Sequence, residues 1–269
     1  MTDHGLAGKI AVVTGGYGVL GGRMASGLAE AGARVAVLGR NRDKAEAKVA
    51  ELTEAGGDAL ALVADALSPD DLVDTRRQLE ERWGAPQILV NAAGGNVARA
   101  RTDHQPFFDV PLDAFDEVIR LNFHGTVLPT RVFGEAMAEA GTGSIVNISS
   151  AAAAHALTGA PGYSAAKAAV DNFTRWMAVD LARRYGDGLR VNAIMPGFFV
   201  ADQNRAVLLN DDGTYTDRAQ TIVANTPMNR FGHPDELVGP LLWLCGDGAS
   251  FVTGAVIPVD GGFQAFSGV

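Results

Sequence analysis

Tyr163 and Lys167 stand four residues apart in Tyr163-Ser-Ala-Ala-Lys167, a spacing that a helix stacks on one face. A phenol titrates near ~10 in water, so work as a proton donor and acceptor near neutrality needs help of about three pKa units, roughly 4 kcal/mol. A neighbouring ammonium is one source of that help. The pair by itself also describes a solvated helix face, and its weight comes from what surrounds it. Ser150 ends the apolar run Ser144-Ile-Val-Asn-Ile-Ser-Ser150 shortly before it.

A second group lies near the start. Thr14-Gly-Gly-Tyr-Gly-Val-Leu-Gly-Gly22 follows Ile10-Ala-Val-Val13, so backbone N–H groups and a helix N-terminus can face a pyrophosphate with no Cβ atoms between. The same glycines also suit a plain strand-to-helix turn. Arg40, Arg42 and Lys44 form a basic patch, either an exposed helix start or an anion contact, depending on where the second strand ends.

These residues need a scaffold that brings them together. Short apolar runs at Ile10–Val13, Val35–Leu38, Leu60–Val63, Ile88–Val90, Ile145–Ile148, Val191–Ile194 and Val256–Val259 predict strands buried on both faces. Helices are predicted between them at about Val19–Ala31, Arg42–Ala55, Ser68–Trp83, Asp113–Ala138, Tyr163–Tyr185 and Pro234–Cys245. This alternation predicts an α/β fold, a single-domain Rossmann-type doubly wound parallel sheet of about seven strands with helices on both faces. Residues 197–232, rich in Asn, Asp, Thr and Arg, carry no clear element and are expected to form a substrate lid.

Composition narrows the function classes. The 269 residues are 47% hydrophobic with a net charge of −9, enough for one large core and poor for a nucleic-acid partner held through phosphates. No apolar run reaches the ~20 residues that span a bilayer and no signal peptide is evident, so a soluble, cytoplasmic protein is expected. Cys245, the single cysteine, excludes a disulfide framework and sits in an apolar context that suits packing. His104, His124 and His155 do not form a metal set, and no metal is expected.

Taken in order, the glycine turn, Asn91-Ala-Ala-Gly94, Asn122, Ser150, Tyr163, Lys167 and Pro196-Gly197 resemble the short-chain dehydrogenase/reductase family over nearly the whole chain. The separation of Ser150 from Tyr163 matches the family's catalytic pair and favours Ser150 over Ser149. The resemblance implies an NAD(P)-dependent oxidoreductase acting on a CH–OH group, with Asn122, Ser150, Tyr163 and Lys167 as its catalytic residues. It implies that Ser150 holds the substrate oxygen, that Lys167 stabilises the phenolate and bonds the nicotinamide ribose, and that Asn122 positions a proton-relay water. Cofactor contacts are expected from Gly15, Tyr17, Gly18, Val19, Leu20, Gly21, Arg40, Asp65, Ala66, Asn91, Ala92, Gly94, Tyr163, Lys167, Pro196, Gly197 and Phe199, with Phe198 beside the nicotinamide. Arg40 stands where NAD-binding relatives commonly carry an acidic residue, which leans the cofactor towards NADP over NAD. Asp65 is equally readable as a helix cap.

Two departures stand out. Val19 occupies a position that is usually glycine in the family, with Gly18 before it, and Ala201 replaces a frequent Thr, for which Gln203 or Asn204 could compensate. The glycine turn, Gly94-Gly-Asn96, residues 196–205, 208–213 and 226–232 and the tail from Val256 look like the D-mannonate oxidoreductase (D-fructuronate reductase) branch. That branch implies interconversion of D-fructuronate and D-mannonate. Asn96, Ser150, Tyr163, Gln203, Asn204 and Arg205 are the expected substrate contacts, with Arg205 first for the carboxylate and Arg99, Arg101 and Arg230 behind it. A gluconate 5-dehydrogenase-like enzyme, a 3-oxoacyl carrier-protein reductase-like enzyme and a retired dinucleotide-binding regulator remain as alternatives. A homo-oligomer, as a homotetramer, is also implied, with Ala165, Ala166, Ala169, Val170, Phe173, Phe263, Phe266 and Val269 as candidate contacts.

Overall fold

Ile10–Thr14 (β1) alternates its side chains between two cores, Ala11 and Val13 on one face and Ile10 and Val12 on the other, because successive strand residues point to opposite faces. That double burial is why the run reads as continuously apolar. In the computed structural model, which describes residues 4–268, with the side chains of Asp202, Gln203 and Ala206 outside the described residues, six further strands join it. They are Arg34–Gly39 (β2), Asp58–Val63 (β3), Ile88–Asn91 (β4), Gly143–Ile148 (β5), Leu189–Pro196 (β6) and Val256–Val259 (β7). All pair in parallel in the order β3-β2-β1-β4-β5-β6-β7. This is the expected seven-stranded doubly wound sheet, and its order reverses between β1 and β4.

The helices are Val19–Glu30 (α1), Arg42–Glu54 (α2), Pro69–Arg82 (α3), Leu112–Ile119 (α4), Gly125–Ala140 (α5), Pro161–Tyr185 (α6), Asp202–Leu208 (α7), Asp217–Ala224 (α8) and Val238–Cys245 (α9). One core packs Met24 and Leu28 of α1, Ala45 and Leu52 of α2, and Leu241, Leu244 and Cys245 of α9 against the sheet. The opposite core takes Leu72 and Leu79 of α3, Phe133 and Met137 of α5, and Ala178 and Leu181 of α6. Cys245 is buried and its thiol is pushed up to about 12 by that burial, so it is a packing group with no thiolate chemistry near neutrality. Asn41 accepts from Lys44 N at 2.9 Å and Ser68 from Asp71 N at 3.3 Å, which fixes where α2 and α3 begin.

Two elements differ from the sequence expectation. The helix predicted over Asp113–Ala138 is broken by a π-turn at Arg120–His124, whose extra residue per turn re-aims Asn122. Residues 197–232 are not a bare loop: α7 and α8 pack Leu208, Ala219, Ile222 and Phe231 into a small core of their own. Their shortness hides them from any periodicity reading. On α6, Ala166 and Val170 are fully buried within the chain and so are not outward-facing contacts, while the half-buried Phe173 meets Phe123 edge-on at 6.0 Å. Trp176, Val179 and Tyr185 are large hydrophobic residues that α6 leaves exposed.

Candidate active site

The glycine turn lies at the C-terminal end of β1, beside the reversal in strand order. Gly15 has φ +63, and a Cβ there would meet the Ala92 carbonyl oxygen at 3.0 Å, while a Cβ at Gly21 would fall 2.3 Å from the Gly15 oxygen. Both positions therefore require glycine. Val19 is the first residue of α1 and Gly18 its cap, with Gly22 N bonded back to Gly18 O at 2.6 Å. The missing glycine thus falls where the helix starts, and the first amides of α1 remain without intrahelical acceptors. This cradle of tight glycines and free amides fits a dinucleotide pyrophosphate. Leu20 packs at the edge of the core beneath it.

At the end of β2 the Tyr17 ring covers Gly39, where a Cβ would lie 2.3 Å from the ring, and its hydroxyl accepts from Asn41 N at 3.2 Å. Arg40 is largely exposed next to it, with Nη1 4.0 Å from Asp65 Oδ2. Asp65 follows β3 and its Oδ1 accepts from Leu67 N at 2.9 Å. It thus closes an Asx turn, while Ser68 caps α3. Ala66 is half-buried in that turn.

Thr14 Oγ1 accepts from both Ala92 N and Ala93 N at 3.1 Å, tying the β1 turn to the segment after β4. The Asn91 side chain points inward, donating to Thr130 Oγ1 at 2.9 Å and Asn147 Oδ1 at 2.8 Å, and Asn147 donates to Thr174 Oγ1 at 2.9 Å. This buried chain of amides and hydroxyls fastens β4, β5, α5 and α6 to one another. Sequence reasoning passed over Thr130, Asn147 and Thr174; the available signal was a polar residue interrupting the apolar run Ile145-Val-Asn-Ile148.

Asn122 is fully buried and grips Gly95 at both ends, accepting from Gly95 N at 3.0 Å and donating to Gly95 O at 2.7 Å. Its amide also donates to Val118 O at 2.9 Å. The side chain expected to hold a water is thus engaged in shaping the 94–96 segment. Gly94 sits under it, with a Cβ there only 2.7 Å from Asn122 Oδ1 and 3.5 Å from Lys167 Nζ.

Ser150, Tyr163 and Lys167 come together at the end of β5. Ser150 is extended and caps the short turn Ala151–Ala153, accepting from Ala152 N at 3.2 Å. Tyr163 lies in the first turn of α6, packed with Val97 against Ala100, Ala114 and Val118. Loss of solvent raises its phenol above the ordinary value, and a hydrogen bond with Ser150 opposes the rise. Lys167 is buried, donates to Ile148 O at 2.7 Å and stands 5.6 Å from the Tyr163 ring centroid. Burial pulls its ammonium down to about 8, with Asp171 opposing. The spacing argument expects a phenol lowered by its ammonium; here burial raises it, opposed only by the Ser150 hydrogen bond, and the phenol stays protonated.

Above the site, Gly197 N bonds Val259 O at 2.9 Å, and a Cβ at Gly197 would meet Asp260. Pro196 ends β6 and is buried. Phe199 is buried in the core beside Gly232, while Phe198 packs edge-on to Phe263 at 5.2 Å. Phe263 also meets His155 at 5.8 Å, and Gln264 Nε2 donates to Ala151 O at 3.3 Å. The C-terminal segment thereby joins the Ser150 turn to the lid, and Phe263 serves that join within the chain.

Of the expected substrate contacts, Asn96 uses Oδ1 to accept from Val97 N at 2.9 Å. Asn204 is committed at both ends, accepting from Ala201 N and donating to Phe199 O, each at 2.8 Å. It closes the start of α7, where Ala201 has no side-chain oxygen to do so, and its expected substrate contact becomes a structural one. Gln203's side chain, like Val269, lies outside the described residues. Arg205 is exposed and has no carboxylate partner among the described residues. Arg99 pairs with Asp113 at 3.0 Å, Arg101 with Asp103, and Arg230 with Glu236 through bonds of 2.6 and 2.7 Å. An open cavity of about 930 Å³ lies between the lid and residues 98–104, lined by Arg101, His104, Asn210, Tyr215 and Arg218. Among the described residues, no His, Cys, Asp and Glu group could hold a metal, and no helix is long and apolar enough to cross a membrane.

Comparison with known proteins agrees with this geometry. A family model described as enoyl-(acyl carrier protein) reductase matches residues 18–264. The uncharacterized oxidoreductase UxuB of Bacillus subtilis (strain 168) is 48% identical, with 98% of each chain covered. A crystal structure from Haemophilus influenzae, provisionally named D-mannonate oxidoreductase and holding NAD, is 42% identical with a TM-score of 0.92, again over 98% of each chain. A gluconate 5-dehydrogenase of Burkholderia cenocepacia, solved with NADP and tartrate, is 30% identical with a TM-score of 0.88 over 98% of this chain and 100% of its own. The chain belongs to the short-chain dehydrogenase/reductase family and is an NAD(P)-dependent oxidoreductase.

Proposed function

We propose that this protein interconverts a sugar-acid ketone and its alcohol, D-fructuronate and D-mannonate. The observation that carries the reading is the protonated, half-buried Tyr163 phenol bonded to Ser150 beneath a polar lid that carries an exposed Arg205 with no carboxylate partner among the described residues. The provisional name of the Haemophilus neighbour supports the same substrate pair, and the tartrate in the Burkholderia enzyme supports a polyhydroxy acid.

In ketone reduction, bound nicotinamide supplies the hydride. Ser150 holds the carbonyl oxygen and Tyr163 gives that oxygen its proton; for alcohol oxidation the ionised phenol takes the proton back. Lys167 keeps a positive charge beside the phenol and reaches the nicotinamide ribose, and Asn122 sets the 94–96 segment that closes this side of the cleft. Gly15, Tyr17, Gly18, Val19, Leu20, Gly21, Asp65, Ala66, Asn91, Ala92, Gly94, Pro196, Gly197 and Phe199 form the dinucleotide groove. Arg40 favours the 2′-phosphate of NADP, and NAD is accommodated as well. Arg205 meets the substrate carboxylate and residues 197–232 act as the lid. Exposed Trp176 and Val179 on α6 supply an apolar face for a homotetramer.

A panel of fructuronate, tagaturonate, 5-ketogluconate and acetoacetyl thioesters, each with NADH and NADPH, tests the reading. Fructuronate should be reduced with the highest kcat/KM. Robust activity on another member with none on fructuronate rejects the substrate and leaves the family membership untouched.

A further inference from the structure

Asp171 lies on α6 one turn beyond Lys167, on the face that also carries Tyr163. Its side chain is buried at 6% exposure and that of Lys167 at 4%. Asp171 Oδ1 and Ser149 Oγ are buried atoms with no hydrogen bond of normal geometry. A buried carboxylate left so incompletely satisfied is costly, and packing alone would be served better by an apolar residue.

The two adjacent serines divide their work. Ser150 bonds Tyr163 at the start of α6, whereas Ser149, itself only 2% exposed, stands close enough to Asp171 to favour its ionised form. The two groups interact without completing a hydrogen bond of normal geometry. Lys167 Nζ meets a neutral acceptor, the Ile148 carbonyl, at 2.7 Å. From the other packed elements it faces Gly94 and Asn122 Oδ1, which are neutral too. On α6 itself the titratable and charged neighbours are Tyr163, Asp171 and Arg175, the last acting on Asp171.

We propose that Asp171, supported by Ser149, is a positioning residue that keeps Lys167 charged within a cleft that otherwise offers it only neutral partners. Asp171 acts through Lys167 and touches neither substrate nor cofactor. The consequence for catalysis rests on the role given to Lys167 under the proposed function; the pairing itself does not. Burial opposes the ammonium and Asp171 opposes that effect, so removing the carboxylate drives the Lys167 midpoint further down.

Lysine stands only at Lys9, Lys44, Lys48 and Lys167, which makes a titration of ¹³Cε-labelled lysine by NMR readable residue by residue. Loss of one resonance in Lys167→Met assigns it. The wild-type midpoint is expected near 8, and Asp171→Asn should lower it by about one pH unit, a ~10-fold change in acidity. Ser149→Ala should move it in the same direction by less. An unmoved midpoint in folded Asp171→Asn overturns the proposal and leaves Asp171 a packing residue. Should that variant not fold, no downward movement in Ser149→Ala overturns it equally. Because the readout is the lysine itself, a downward shift supports the proposal even if fructuronate proves not to be a substrate.

Discussion

Lys167 Nζ hangs from the Ile148 carbonyl at 2.7 Å while standing 5.6 Å from the centre of the Tyr163 ring one turn before it. The strand therefore seats the lysine, and the helix brings the phenol to it. Tyr163 remains protonated in this arrangement, as burial raises its phenol, which suits a proton donor to a ketone.

Replacing Tyr163 by Phe keeps the packing against Val97, Ala100, Ala114 and Val118 and removes the hydroxyl that carries the proton and bonds Ser150. Turnover should fall by about 10²-fold or more, with cofactor dissociation constants changed less than about threefold. Steady-state assay together with cofactor fluorescence titration checks both. Activity near the wild-type level would remove Tyr163 from the mechanism.

Ketone reduction should decline as pH rises through about 8, where Lys167 loses its proton. The folded value lies below the ordinary 10.5, so between those two pH values the unfolded chain holds the extra proton. This group's contribution to stability therefore increases with pH across the same window. A kcat–pH profile that declines while the melting temperature holds distinguishes lost chemistry from unfolding.

The glycine turn supplies a paired test. Gly21→Ala drives a Cβ to 2.3 Å from the Gly15 oxygen, whereas at Gly18 the nearest atom is 3.3 Å away. Cofactor affinity should drop by about tenfold or more for Gly21→Ala, since backbone must move to relieve the clash, and by less than about threefold for Gly18→Ala. Calorimetric binding of NADH and NADPH measures the contrast.

Arg40 is largely exposed and only 4.0 Å from Asp65, free to turn towards a 2′-phosphate. Arg40→Ala should raise KM for NADPH by about tenfold and leave KM for NADH within about twofold, as expected for one charge-assisted contact. Equal effects on both cofactors would mean that Arg40 does not discriminate between them. Tyr17 closes over Gly39 and Asn41 beside it, so Tyr17→Ala should alter the same ratio.

Much of the scaffold was legible because β1, β4 and β5 bury every residue, which leaves a largely apolar run in the sequence, interrupted in β5 by Asn147. Asn122 was legible as a site residue but its action was not, since a π-turn in the middle of a helix has no sequence period of its own. α7 and α8 were missed for their shortness. Asn204 illustrates a deeper limit: a polar side chain in a variable segment reads as a ligand contact, and only the atoms show that it caps the helix that Ala201 cannot. Arg205 and Arg230 look alike in sequence, and only the structure shows that Arg230 is paired with Glu236.

The most direct test of the proposed activity is to incubate the wild-type protein with D-fructuronate and reduced nicotinamide cofactor and to identify the product alongside cofactor oxidation. D-mannonate should appear in a one-to-one ratio with cofactor consumed, and Arg205→Ala should raise KM for fructuronate by about tenfold with kcat little changed. Cofactor left unconsumed with fructuronate, while another ketone in the panel is reduced, would contradict the assignment.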